Sequence, residues 1–273
     1  MFQFDQAEIC DPLKPYLQAI FHYEDFVPDH SIERVVPTGH IFILFELDGF
    51  ERYTYDENQN VKQKFCGAWI SGIQRAPISI SAHAHSQMFV MQFKALGAAP
   101  FLGLPVQQFT DQVVPGADVL DGSLLVLREA LLNCQTVQAR FELAQQWLSG
   151  RFDPQMAAPD DLLDVVTSLA TQPGAEFAQA TAQYPHSHKH LIDQCHKYLG
   201  VTPKIYQRIL RFNEVFQYLQ NHNAVSWAQV AAHCGYADQS HFIHEFKKFT
   251  GFNPAEFLRS DYDLEEANFF PLD

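Results

Sequence analysis

A basic surplus is missing from this chain: 18 lysines and arginines face 32 aspartates and glutamates, a formal net charge of −14. That total argues against a protein that binds nucleic acid over its whole surface, because such proteins present a basic patch to the phosphates. Cysteine is scarce too. Cys10, Cys66, Cys134, Cys195 and Cys234 are odd in number and far apart, so we expect reduced thiols and no disulfide framework. No charge-free apolar run approaches the ~20 residues that span a bilayer. Met1–Asp5 lacks the basic and apolar regions of a secretory signal, so a cytoplasmic protein without a membrane partner is expected. What is present is a core: 47% hydrophobic and 14% aromatic residues exclude intrinsic disorder.

The charge is unevenly spread. Residues 1–174 carry 10 basic and 21 acidic side chains, residues 175–260 carry 8 and 6, and the last 13 carry 0 and 5. Eight of the 13 histidines also fall between 175 and 260. The local sign change keeps nucleic-acid binding open for that third of the chain alone.

The first half reads as short strands punctuated by turns. Ile41–Leu47 is apolar throughout, as in a strand buried on both faces, and Asp48-Gly49 offers a turn into Glu51–Tyr55. Asp56–Asn60 is a polar loop before Val61–Ile73, Ile78–Ala84 alternates strictly, and Gln87–Lys94 follows. This spacing predicts a small barrel or sandwich over 1–115. Beyond Leu96 the period becomes helical, with Ser123–Asn133, Val137–Leu148 and Asp161–Leu169 predicted as helices of a connector, 116–173, in which a homodimer contact would lie. The domain boundary is placed at Pro173-Gly174. The fold class expected is α+β: a β-barrel or cupin-like sensor, a helical connector, and an all-α C-terminal domain, 174–260, followed by an acidic tail, 261–273.

Within the last domain, Val225–Leu258 has the grammar of a helix-turn-helix. Ser226 is an expected N-cap for a helix with Trp227, Val230 and Ala231 inward. Gly235 sits where a helix must end in the left-handed conformation, and Tyr236 can fill the angle between helices. Asp238 can cap a second helix whose Phe242, Phe246 and Phe249 recur at helical spacing. Gly251 closes it and Asn253-Pro254 opens a short one over Ala255–Leu258.

The run Val230–Pro254 resembles the second DNA-binding unit of the AraC/XylS family of transcriptional regulators. The resemblance implies an earlier unit, which Ser187–Leu191 and Gly200–Pro203 fit, and a rigid spacer helix over Pro203–Asn221. It covers about residues 178–259. The first unit departs from the pattern: Pro185 replaces the turn glycine, Asp193 stands where arginine is usual, and Cys195 where phenylalanine is usual. In such units the second helix enters the major groove and its exposed N-terminal residues meet base edges. His188, Lys189 and Ile192 are then the base-contact candidates of the first unit, and Gln239, Ser240, His241 and His244 those of the second. Gln239 can bond adenine in bidentate fashion. His244 occupies a position where the resemblance implies arginine. Lys204, Arg208, Lys247 and Lys248 are phosphate candidates, which set register without reading sequence. The tail, with Phe269-Phe270 near its end, reads first as a solvated terminus. Competition with DNA and docking on the sensor are the other two readings.

Pro37–Ile41, Gln92–Pro105 and Asp111–Pro115 resemble an N-terminal domain found attached to AraC-type regulators, which implies a β-rich sensor for an unknown small-molecule effector. His83 and His85 are the effector-pocket candidates: alternation would place both on one strand face with Ser79 and Ser81, ~7 Å apart. A His-x-His pair resembles the cupin metal motif, but Gln87 and Met88 follow where its glutamate would stand, and two ligands are too few. We expect no metal, cofactor or catalytic set. The function expected is sequence-specific binding of double-stranded DNA under effector control. Two rivals remain, a cupin-type metal-dependent enzyme and an interaction module with a degenerate DNA-binding domain.

Overall fold

The computed structural model describes residues 1–221, 226–257 and 269–273. Among these described residues, eleven strands form two antiparallel sheets. The first sheet takes β1 (Gln3–Gln6), β2 (Leu17–Phe26), β9 (Ser86–Phe93), β4 (Ile41–Glu46), β7 (Ala68–Ser71) and β10 (Val113–Pro115), in that spatial order. The second takes β11 (Phe269–Pro271), β3 (Ile32–Val35), β8 (Ile78–Ser81), β5 (Arg52–Tyr55) and β6 (Val61–Phe65). Among the described residues the two sheets do not close into a barrel, so of the barrel or sandwich expected they form the cupin-like sandwich.

The first sheet is covered on both sides, which explains the unbroken apolar run in β4. Ile41, Ile43 and Phe45 face a core that continues through Ile70, Phe89, Met91 and Phe93. Phe42 and Leu44 face a smaller cluster with Phe65, Trp69, Met88, Val90 and Val113, drawn from both sheets. The Asp48-Gly49 turn forms as expected: Gly49 is left-handed at φ 79° and the Asp48 carboxylate accepts from the Phe50 amide at 2.8 Å. Val61–Ile73 divides at Gly67, φ 82°, into β6 and β7.

Helices then follow: α1 (Ala99–Leu102), α2 (Ser123–Asn133), α3 (Val137–Arg151), α4 (Asp160–Thr171), α5 (Phe177–Thr181), α6 (His188–Tyr198), α7 (Pro203–Gln220), α8 (Trp227–His233), α9 (Gln239–Thr250) and α10 (Pro254–Phe257). Helices α2 and α3 close the outer side of the first sheet, with Phe141 against Phe89 at 5.7 Å between ring centroids. Helix α4, assigned from sequence to the connector, packs on α5, α6 and α7. Gln207 on α7 also donates to the carbonyls of Pro173 and Ala175. Packing therefore crosses the boundary expected at Pro173-Gly174. Val225 and Leu258, the expected limits of the second helix-turn-helix, lie outside the described residues, as do tail residues 261–268.

Candidate nucleic-acid interface

Two helix pairs, α5–α6 and α8–α9, flank the spacer α7. In the second pair the local chemistry expected from sequence is in place. Asp238 caps α9 by accepting from the His241 amide at 2.8 Å. Gly235 turns the chain at φ 70°, and a Cβ there would come within 2.6 Å of Gly174 Cα, so both backbone angle and close approach require glycine. Ser226 occupies the N-cap position of α8 but its hydroxyl makes no capping bond. Phe242, Phe246, Phe249 and Tyr236 are buried, and Gly251 ends α9 in the left-handed conformation. In the first pair Ser187 caps α6 by accepting from the His190 amide at 3.2 Å.

Burying one stripe leaves the opposite one to solvent. Gln239, Ser240, His241 and His244 are all exposed on α9, within its first two turns. On α6, His188, Lys189 and Asp193 are exposed and Ile192 is half-buried. His188 also lies edge-on to Phe177 of α5, with ring centroids 6.2 Å apart. The base-contact candidates of both helix pairs thus reach the surface, Ile192 in part.

The phosphate candidates separate into two kinds. Lys204, Lys247 and Lys248 are exposed. Arg208 is not held as a free cation: its Nε and Nη2 donate to Glu245 Oε2 and Oε1, each at 2.7 Å, and its guanidinium lies over Phe249 at 5.7 Å. Burial pushes the Glu245 carboxyl upward, but the Arg208 fork outweighs it and holds the group below the usual glutamate range. Arg208 therefore ties α7 to the buried side of α9. Arg211 works beside it, donating to the Gly235 carbonyl at 2.9 Å and covering Tyr236. Neither arginine's role is visible from local spacing, since the partners lie 37 and 24 residues away.

The N-terminal domain contacts both helix pairs and the spacer. Thr110 donates to the Gly200 carbonyl at 2.6 Å at the end of the first pair. Asn213 on α7 donates to the Thr38 carbonyl at 3.0 Å, and a Cβ on Gly39 would come within 3.2 Å of Tyr206. The Pro37–Ile41 segment is thus a seat for the spacer. Arg34 on β3 reaches the Thr250 carbonyl at 3.3 Å, at the last residue of α9.

His83 and His85 do not share a strand face. Strand β8 stops at Ser81 and a turn takes over, with His85 left-handed at φ 63°. His83 is half-buried, 3.0 Å from the Ser81 hydroxyl and stacked on Phe50. His85 is exposed and paired with Asp25. One surface cleft is lined by Leu104, Phe109 and Val119, another by Pro105, Asp193 and His196, and neither includes the two histidines. The polar group that sequence reading missed lies between the sheets. Glu46 is fully buried, accepts from the Gly67 amide at 2.8 Å, and sits 3.7 Å from Arg52. Burial pushes its pKa up to about 7. Among the described residues no group of three histidine, cysteine, aspartate or glutamate side chains could hold a metal, and no helix is long and apolar enough to cross a membrane.

Residues 182–260 match the model of a helix-turn-helix domain. The C-terminal third is an AraC-type DNA-binding domain. Residues 9–115 match a domain of unknown function, DUF6597. No curated protein matches the sequence. Among solved structures, ToxT from Vibrio cholerae is similar at 12% identity over 94% of this chain and 98% of that one, with a TM-score of 0.47. An unsaturated-fatty-acid-bound ToxT from the same organism is similar at 14% identity, 88% and 94% coverage and TM-score 0.45. The AraC-like transcriptional activator CuxR is similar at 13% identity, 81% and 87% coverage and TM-score 0.25.

Proposed function

We propose that the two units enter successive major-groove segments on one side of a duplex, about one helical turn apart. The α9 residues Gln239, Ser240, His241 and His244 read bases, with Gln239 bidentate on adenine. His188, Lys189 and Ile192 meet bases from α6, where Asp193 repels phosphate but can accept from a cytosine amine. Lys204, Lys247 and Lys248 bind phosphate. The single observation that supports this most is the exposure of all four α9 base candidates on a helix whose apolar residues are buried. A small-molecule effector acts through the N-terminal domain, whose β3 and Thr38–Gly39 seats touch α9 and α7. An effector shifts the equilibrium only as far as it binds one arrangement of these contacts better than another.

Selection of duplexes from a random library by the full chain, followed by anisotropy with Gln239→Ala, tests the reading. The expected outcome is a bipartite consensus and a loss of about 1–3 kcal/mol at an adenine in one half-site. Recovery of no preferred sequence would count against it.

A further inference from the structure

The last described strand joins two domains through a single residue. Strand β11 adds to the free edge of β3, pairing Phe269 with Val35, Phe270 with Arg34 and Pro271 with Glu33. The Leu272 amide donates to the Ile32 carbonyl at 2.9 Å, and the Asp273 carboxylate accepts from the Ser31 and Ile32 amides at 3.0 and 2.9 Å and from the Ser31 hydroxyl. Backbone pairing of this kind gives affinity, and the side-chain pockets give specificity. The pocket belongs to the other domain. Phe270 is fully buried, 5.6 Å from Phe216 of α7, 5.0 Å from Phe257 of α10 and 6.4 Å from Phe252, ring centroid to ring centroid. Directly opposite it, Arg34 lies over the Phe252 ring at 5.2 Å and bonds the end of α9.

We propose that the β3 edge and the Phe216–Phe252–Phe257 notch form a peptide-docking groove, and that its resident is this chain's own Phe269–Asp273, bound intramolecularly as a latch between the sensor and the second helix-turn-helix unit. Its ligand class is an extended peptide with a phenylalanine anchor, a following proline that asks for no ladder bond, and an acidic side chain two residues on. The latch makes β3 a shared element. A shift of β3 in the sensor moves a strand whose side chain sits in the core of the second unit, and release of the latch uncovers both the strand edge and the aromatic notch. The assignment stands apart from the DNA reading, because the groove is built whichever bases the units contact.

The test uses the full chain, a chain lacking Phe269–Asp273, and a synthetic acetylated peptide of the sequence Phe-Phe-Pro-Leu-Asp. By calorimetric titration the peptide binds the shortened chain, binds the full chain at least tenfold more weakly because the groove is filled, and loses at least tenfold when its second phenylalanine becomes alanine. Absence of binding to a shortened chain that keeps its circular dichroism, or equal binding to both chains, overturns the proposal. A full chain that is a dimer and becomes monomeric on loss of these residues also overturns it, since the tail would then dock on a second copy. Should the shortened chain not fold, Asp273→Asn in the full chain decides. Amide exchange over residues 31–35 then rises at least tenfold while α6 stays unchanged, and unchanged exchange over 31–35 overturns the proposal.

Discussion

Replacing Arg208 by alanine separates two roles that one cation could have. From sequence it is a phosphate contact; in the fold it is the partner of buried Glu245. Breaking a buried pair from one side costs about 3–5 kcal/mol because the other charge is left uncompensated. Arg208 keeps a quarter of its side chain in solvent, so the lower end applies, about 2–3 kcal/mol including its contact with Phe249. In a thermal melt followed by circular dichroism that loss lowers Tm by roughly 5–10 °C. The sign with pH follows from Glu245. Its carboxyl is depressed in the folded state, so the pair's contribution is present above the unfolded glutamate pKa and disappears as pH falls through the folded value. The gap between parent and variant therefore narrows toward pH 4. Arg208→Met with Glu245→Leu recovers most of the loss. At a temperature where the variant is folded, the slope of log affinity against log salt stays that of the parent. An unchanged Tm together with a slope shallower by about one would refute the reasoning and return Arg208 to the phosphates.

Three further outcomes follow from the same geometry. Gly235→Ala combines a left-handed backbone with a Cβ against Gly174, and costs at least about 2 kcal/mol in urea unfolding. Glu46 has its folded pKa raised to about 7, so the folded state holds its proton more tightly and stability falls as pH rises from about 4.5 to 7. Glu46→Gln removes up to about 3 kcal/mol of that dependence, visible as a flatter urea midpoint between pH 5 and 8. His244→Arg adds a permanent charge at an exposed position of α9 and steepens the salt slope by about one.

The second helix-turn-helix was legible because its signals are local. A cap at Asp238, left-handed glycines at 235 and 251, and a phenylalanine stripe each lie within a dozen residues of what they determine. Strand β4 was legible for a related reason, since burial on both sides leaves no polar alternation. What sequence hid depends on distant partners. Arg208 looks like any surface arginine until α9 delivers Glu245 beside it. Strand β11 has three residues, too few for a period, and its partner strand lies more than 230 positions upstream, so it reads as a solvated end. The shared strand face expected of His83 and His85 failed for the opposite reason: alternation was carried four residues past Ser81, where a turn with left-handed His85 had already ended the strand. Helix α4 was given to the connector because its periodicity names a buried face without naming what covers it.

Helices α6 and α9 are proposed to present their N-terminal turns to one duplex. The most direct test is anisotropy of the full chain on its selected duplex between 50 and 200 mM salt, with the spacing between half-sites varied by single base pairs. The expected result is a negative salt slope near −3, from about three phosphate lysines, and an affinity that peaks when the half-sites are centred about 10 base pairs apart. Salt-independent binding, or affinity indifferent to spacing, would contradict it.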